Sequence, residues 1–503
     1  MTDYVRSAEL VSHPVGDLVA VYHKRLGGLC LLDDAAQDVL ESFARPRPLA
    51  SSWEEGAVSQ KRVDRLIEQL AVRQFLVTTS ESHAGVESEK ADHLPRINVV
   101  QLVVANGCNF GCTYCFEGLQ GADLTRSVDR GSYVPFGDRS KGEVVVNLAD
   151  PVYSSPERES HQTDPQNRFM SAESAINYVR IAIDLAKRAN VPNIMVQFFG
   201  GEPLLNTRAI LAVLDDIGDG SDFGIKVEYT IVTNGSMVTD EIARRFAENR
   251  VGVCVSFDSV NSAARPLKSG RSSVPLVLEG LAKLREHNNR IALNAALCSS
   301  TFDSIDETLI KFAASHGIYE IGIVLDLDPT FYADFGGDRI ADKVADLVCA
   351  GREHGVVVTG YWHQIFQLLS AFDIVRHRGF KNCSAKGAQL SIEPNGGVFS
   401  CKAGSGYFGN IVERESLFQS ETFRRHSALQ FENPAFCKGC EIEGFCAGIC
   451  LGPLEKKFGT VDAVETYACE TYRQVARKLI QLVEPGDVPT FRLRPIPQPE
   501  CVS

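Results

Sequence analysis

From Arg96 onward, short apolar runs alternate with stretches whose apolar residues recur every three or four positions. The strand-like runs are Ile97–Val104, Ile194–Phe199, Ile225–Val232, Val251–Phe257, Ile291–Leu297 and Tyr319–Leu325. Between them lie helical patterns at Ala172–Ala189, Arg208–Ile217, Thr239–Ala247, Pro275–Glu286 and Ile305–Ser315. Repeated strand–helix units predict an α/β fold with a parallel sheet and right-handed crossovers. Six units are too few for a closed eight-stranded barrel, so the pattern predicts a partial (β/α)6, TIM-like barrel over residues 96–330. Active sites on such sheets sit at the C-terminal ends of the strands.

The flanks follow other rhythms. Residues 1–95 read as a separate unit. Asp17 to Tyr22 and Leu29 to Leu32 form a hairpin pattern, and Asp33 or Asp34 can cap a helix through Val39 and Phe43. A second helix is predicted around Val63, Leu66, Ile67 and Leu70, then a short strand at Phe75-Leu76-Val77. This order predicts a small winged-helix-like domain with an exposed strand edge, joined to the barrel by a polar linker from Thr78 to Leu94. Residues 117–168 are rich in Ser, Asp, Gly and Arg and interrupt the barrel, with one strand-like piece at Glu143–Val146. A loop that long, leaving the end of the first strand, is expected to be a lid or plain surface chain. Beyond Pro329, helical stretches at Ile340–Glu353 and Gln364–Arg378 lead to a hairpin, Gln389–Ile392 and Val398–Ser400, around Pro394-Asn395-Gly396-Gly397. Residues 331–485 are expected to form bridging helices and a cysteine-rich domain, and the proline-bearing 486–503 an extended tail.

Composition narrows the class. The hydrophobic fraction of 44% over 503 residues supports real cores. No run of 18 or more apolar residues occurs, which argues against a membrane span. The start, MTDYVRSAEL, has no apolar signal core, so a cytoplasmic location is expected. A net charge of -13 disfavours nucleic acid or an anionic membrane as a partner.

Cysteine placement changes the picture most. There are 15 cysteines, and ten fall into two spaced fields. The first is Cys108-x3-Cys112-x2-Cys115, directly after the first predicted strand. The second comprises Cys383, Cys401, Cys437, Cys440, Cys446, Cys450 and Cys469. Thiolates brought close together repel unless a metal neutralises them, and in a reducing compartment such spacing points to metal rather than disulfides. Iron–sulfur clusters and zinc are the two chemistries that use such ligands. Three cysteines would leave one iron of a [4Fe–4S] cube without a protein ligand. Of the remaining cysteines, Cys254 and Cys298 lie in apolar strands and are expected to be inert core residues. Asp326 and Asp328 follow the sixth strand, at the active-site end, where a surface carboxylate or an acid/base role is open.

The first field, with Tyr114 before its last cysteine, resembles the cysteine motif of radical S-adenosylmethionine (SAM) enzymes. Gly200-Gly201-Glu202-Pro203 after the second strand resembles that family's GGEP loop. Thr233-Asn234-Gly235 and Ser256-Phe257-Asp258 stand after the third and at the end of the fourth strand. The resemblance implies that Cys108, Cys112 and Cys115 hold the reactive cluster. It implies that Tyr114, Gly200, Gly201, Glu202, Pro203, Asn234, Ser256 and Asp258 surround SAM, which is cleaved reductively to a 5′-deoxyadenosyl radical. The second field resembles the SPASM pattern. That likeness implies two auxiliary [4Fe–4S] clusters, one on Cys383, Cys401 and Cys450 and the other on Cys437, Cys440, Cys446 and Cys469. Some relatives carry an eighth cysteine where this chain has His377, so His377 either ligates the first auxiliary cluster or leaves an open iron there.

These resemblances imply a maturase that binds a ribosomally made precursor peptide or protein through residues 1–95. The modification would be a thioether or carbon–carbon crosslink, an oxidation or an epimerisation. Such an enzyme takes electrons from a reductase, a flavodoxin or a ferredoxin. A sulfatase-type maturase forming formylglycine is the alternative, and a non-enzymatic electron carrier the remaining one.

Overall fold

A computed structural model describes residues 2–50, 59–80, 96–115, 133–135, 167–261, 263–326, 329–360, 362, 369, 383–428, 437, 439–446, 450–452 and 463–494. Most of the 117–168 insertion, including its piece at 143–146, lies outside these residues, as do 364–368 and 370–378 of the expected helix, Asp328 and His377.

Residues 3–78 hold β1 (Asp3–Arg6), β2 (Leu10–Val15), β3 (Leu18–His23), β4 (Gly27–Leu32), α1 (Asp34–Glu41), β5 (Arg47–Pro48), α2 (Gln60–Val72) and β6 (Leu76–Thr78). The hairpin, both helices and the closing strand stand where the pattern puts them. Asp33 caps α1 by accepting the Ala36 amide at 2.9 Å. Three strands, β1, β2 and β5, had no clear signal. β1 pairs with β5 and β6, and β2 extends the hairpin as an edge strand that tolerates Pro14.

The strand–helix region follows as β7 (Val99–Ala105), β8 (Tyr133–Pro135, outside the main sheet), α3 (Ala172–Arg188), β9 (Asn193–Gly200), α4 (Thr207–Ile217), β10 (Lys226–Thr233), α5 (Asp240–Glu248), β11 (Gly252–Ser256), α6 (Val274–Glu286), β12 (Ile291–Leu297), α7 (Glu307–Ser315) and β13 (Glu320–Leu325). Next come α8 (Pro329–Phe335), α9 (Gly337–His354), β14 (Val357–Thr359), β15 (Gln389–Ile392), β16 (Gly397–Phe399) and β17 (Tyr407–Asn410). The chain closes with α10 (Arg414–Leu417), α11 (Glu421–Ala428), β18 (Ala463–Glu465), α12 (Thr466–Gln481) and β19 (Thr490–Phe491).

One mixed sheet organises the molecule, in the order β14-β13-β12-β11-β10-β9-β7-β15-β16-β17. The strands from β14 to β15 run parallel, and β16 and β17 are antiparallel. Two parallel strands thus join the six expected: β14 at one edge and β15 beside β7. The C-terminal hairpin therefore continues the barrel sheet instead of standing apart from it. Along β9 the residues alternate, with Ile194, Val196 and Phe198 buried and Met195, Gln197 and Phe199 half-buried. The buried set packs in the same core as Ala175, Val179, Ala182 and Ala186 of α3.

That core extends beyond the barrel. It includes Leu18, Ala20, Tyr22, Leu29 and Leu31 from one face of the N-terminal sheet. The other face, with Val21, Cys30 and Leu32, packs under α1 and α2 in a second core. Residues 490–491, in the segment expected as a tail, form β19 and pair in parallel with β4. β8 pairs with β18, which brings part of the insertion against the chain just before α12. No helix among the described residues is long and apolar enough to cross a membrane.

Candidate functional site

The loop that follows β7 carries the first cysteine field at the C-terminal end of the sheet. It is held from two sides. On one side Gly201 N donates to Ala105 O at 3.0 Å and Glu202 N to Gly107 O at 2.8 Å. The glycines are needed for this approach. A Cβ on Gly200, whose φ is +148°, would come within 3.0 Å of the Ala105 carbonyl, and one on Gly201 within 3.0 Å of the Gly107 carbonyl. On the other side Gly111 N donates to Pro266 O at 2.8 Å, Thr113 N to Ala264 O at 2.9 Å, and Lys268 N to Asn109 O at 3.1 Å. The segment 264–268 had no distinguishing sequence signal, yet it forms one wall of the site.

Glu202 is fully buried and faces the protein. Its Oε1 accepts from Thr233 Oγ1 at 2.7 Å and Leu204 N at 3.0 Å, and its Oε2 accepts from Asn234 N at 2.7 Å. Burial pushes its pKa up, against the pull of those donors. The carboxylate therefore ties the loop after β9 to the loop after β10. Asn234 in turn donates from Nδ2 to Asn109 Oδ1 at 2.8 Å, beside Cys108 Sγ at 3.9 Å.

A second group, buried Asp258 with half-buried Tyr114 and Arg265, faces the cysteines. Tyr114 donates to Asp258 Oδ2 at 2.6 Å, and Arg265 Nη1 donates to the Tyr114 oxygen at 2.7 Å. Asp258 Oδ1 accepts from Ala296 N at 3.1 Å, tying the end of β11 to β12. Burial raises the Asp258 pKa, and the Arg265 charge opposes it. For Arg265, burial works against the charge, but Tyr114, Cys112 and Asp258 outweigh it and raise its pKa. Burial pushes the Cys112 thiol up to about 11 despite the nearby Arg265. Arg265 Nε is buried with no hydrogen-bond partner. Sequence reasoning missed Arg265, because a single Arg in an irregular loop has no periodic or motif signal. Ser256 ends β11 in register with Asn294 of β12. Asp326 follows β13, and its amide donates to Leu297 O at the end of β12 at 3.0 Å.

The second cysteine field is brought together by tight turns and α12. Cys440 N donates to Cys437 O at 3.0 Å and Cys446 N to Ile442 O at 3.0 Å. Gly452 packs so closely on Ala403 that a Cβ would come within 3.0 Å of its carbonyl, which brings the Cys450 and Cys401 stretches together. On α12, burial raises the Tyr472 pKa, helped by the Cys446, Cys450 and Cys469 thiols beside it. The two fields are linked by a buried network. Lys402 Nζ donates to Asn106 Oδ1 at 2.8 Å and pairs with Glu393 Oε1 at 3.5 Å, while Asn106 Nδ2 donates to Glu393 Oε2 at 2.8 Å. Lys402 and Glu393 are 2% and 0% exposed. Removing one partner of such a pair strands a buried charge. Lys402→Ala is therefore expected to cost about 3–5 kcal/mol, read as a lowered thermal midpoint; an unchanged midpoint would contradict this role.

The "Radical SAM superfamily" model matches residues 102–309, and the SPASM model, "Iron-sulfur cluster-binding domain", matches 383–441. A protein of Paramaledivibacter caminithermalis, "Radical SAM cyclopropyl synthase TigE", is 35% identical over 471 residues, 92% of each chain. The chain belongs to the radical SAM superfamily.

This radical SAM chain also resembles the "Serine-type anaerobic sulfatase-maturating enzyme" of Bacteroides thetaiotaomicron, 25% identical over 56% of this chain and 75% of that one. Among solved structures, "Native anSMEcpe with bound AdoMet" aligns with a TM-score of 0.54 at 16% identity, over 76% of this chain and 96% of that one, a likeness of fold. The residues fit the groups this superfamily uses. The orphaned Nε–H of Arg265, beside Cys112, is a donor that an anionic group in the site would satisfy. Among the described residues no three cysteine sulfurs lie within 4.8 Å of one another. Among the described residues Glu307, Glu353 and His354, on α7 and α9, form one compact ligand group, with two of its members exposed.

Proposed function

We propose that this radical SAM/SPASM protein is a peptide maturase that closes a carbon–carbon bond within a ribosomally made precursor, with a cyclopropane ring as the product class. The observation that carries this is the identity of 35% to a cyclopropyl synthase over 92% of both chains. An alignment of 471 residues necessarily extends beyond the barrel into the N-terminal and cysteine-rich regions. A solved structure of the same fold, with a TM-score of 0.54, carries bound AdoMet and a peptide together, which supports a peptide as the substrate class.

Ring closure removes one hydrogen from each of two carbons and joins them. When bound, SAM and the iron–sulfur groups would supply the 5′-deoxyadenosyl radical that takes the first hydrogen atom, and a one-electron acceptor as the second leaves as a proton. Cys108, Cys112 and Cys115 would hold the reactive [4Fe–4S] cluster. The backbone of Gly200, Gly201 and Glu202, with Pro203, Asn234, Ser256, Asp258, Tyr114 and Arg265, would position SAM. Glu202 acts by holding two loops in register. Cys383, Cys401 and Cys450, and Cys437, Cys440, Cys446 and Cys469, would hold two auxiliary clusters. Residues 1–95 would recognise the leader, and a flavodoxin or ferredoxin would donate electrons.

The test is anaerobic reaction of the reconstituted enzyme with SAM, dithionite and any short peptide encoded near its gene. The expected product has lost two hydrogens within one aliphatic residue and shows high-field ring protons by NMR. A product of the same mass that reacts with a hydrazide carries an aldehyde, and would favour formylglycine formation, as the sulfatase-type relative suggests. An unchanged peptide would reject both.

A further inference from the structure

The strand edge of the N-terminal sheet at β4 is occupied by the chain's own C-terminal segment. Leu31 N donates to Pro489 O at 2.9 Å and Asp33 N to Phe491 O at 3.1 Å. On the far side of the segment stands α2 with its capping residue. Arg62 donates to Arg492 O at 2.5 Å, and the Arg73 guanidinium lies 5.6 Å from the Phe491 ring centre. Side chains alternate along the segment. Leu493 is 3% exposed in the core shared with α1 and α2, and Phe491 packs against that core. Between them Arg492 turns outward to Asp17, at 2.7 Å.

The groove also carries a backbone reader. Asp33 is 8% exposed, and its Oδ1 is committed to capping α1. Its Oδ2 accepts from two successive amides, Leu493 N at 2.8 Å and Arg494 N at 3.0 Å. A carboxylate that binds main-chain N–H groups takes no account of side-chain identity. Edge pairing, alternate pockets and a backbone reader together make the pattern of peptide recognition by strand addition. Its chemistry suits an extended segment with an aromatic and a leucine two residues apart and a basic residue between them.

We infer that the groove between β4 and α2 is the peptide-binding site of the N-terminal unit, and that Pro489–Arg494 is a built-in placeholder which an incoming leader of like chemistry must displace. This rests on the proposed role of residues 1–95 in leader recognition. The segment is tethered only a short way beyond α12, so its effective concentration in the groove is on the order of millimolar. A leader then binds with an apparent affinity reduced by the fraction of groove left open.

The test uses the full chain, reconstituted, and a labelled synthetic peptide of sequence VPTFRLR. In the double variant Arg492→Ala, Leu493→Asp the placeholder should leave the groove, so the Leu31 and Asp33 amides exchange faster with solvent. The free peptide should then bind at least about tenfold more tightly than to the wild type and restore protection at both amides. Fast exchange without peptide binding would overturn the inference, because the groove would then accept only a covalently continuous strand. Should the double variant misfold, Asp17→Ala removes only an exposed partner of Arg492 and should raise peptide affinity several-fold; no change there would overturn it as well. Modification of the neighbouring precursor by wild-type enzyme is scored separately. A precursor that is modified while the peptide never binds sinks the placeholder and leaves the maturase function standing.

Discussion

Replacing Cys108, Cys112 and Cys115 together with Ala should abolish cleavage of SAM to 5′-deoxyadenosine and remove about one third of the iron. The wild type, reconstituted anaerobically, should hold roughly twelve irons from three [4Fe–4S] clusters, and the triple variant roughly eight. The physical reason is the division of labour between the cysteine fields. Only the first lies at the C-terminal ends of the parallel strands, against the glycine loop after β9 and beside Asn234, Tyr114 and Arg265. Persistent cleavage in the variant would mean that the reactive centre is elsewhere. About four irons in the wild type, with zinc making up the rest, would refute the auxiliary clusters.

The second large effect is expected from a single methyl group. Gly201→Ala places a Cβ against the Gly107 carbonyl and the Cys108 amide, all backbone. Neither side can yield as a flexible side chain would, so the cysteine loop must shift. Displacement of reacting groups by about 1 Å costs on the order of 10²-fold in rate. The variant should cleave SAM about 10²-fold more slowly while the auxiliary clusters keep their spectra. Wild-type cleavage would show that the contact is relieved without moving the site. Gly200→Ala should behave alike, with the added strain of its positive φ.

Much of this was legible before the structure. β12 occupies the predicted residues, because from Ala292 onward buried Leu293, Ala295 and Leu297 alternate with half-buried Asn294 and Ala296. The motif residues of the first cysteine field converge because each sits just beyond a strand end, where a parallel sheet gathers its loops. What escaped lacked local signal. Arg265 and the 264–268 wall depend on pairing with a loop distant in sequence. Lys402 and Glu393 look like surface charges in a hairpin, and only the joining of β15 to β7 buries them. α12 carries a helical pattern of its own, in Ala468, Tyr472, Val475, Ala476 and Leu479. β19 is two residues long in a proline-bearing segment, and nothing in its own sequence marks the partner it finds at β4.

The structure also changes how leader recognition is best tested. Deleting residues 1–95 would remove Leu18, Tyr22 and Leu29 from the main core and strip the partners of the second cysteine field, where Gly444 N donates to Lys24 O at 2.9 Å and Arg25 pairs with Glu443 at 3.5 Å. Such a deletion would disturb the clusters as well as recognition. Point variants in the groove separate the two effects.

The most direct measurement follows hydrogen from substrate to cofactor product. A short precursor peptide encoded near the gene, made with fully deuterated aliphatic residues, is turned over with unlabelled SAM, and the mass of the 5′-deoxyadenosine is measured. A radical SAM peptide maturase should yield 5′-deoxyadenosine carrying one deuterium, matched mole for mole by modified peptide. Unlabelled 5′-deoxyadenosine accumulating beside an unchanged peptide would contradict it.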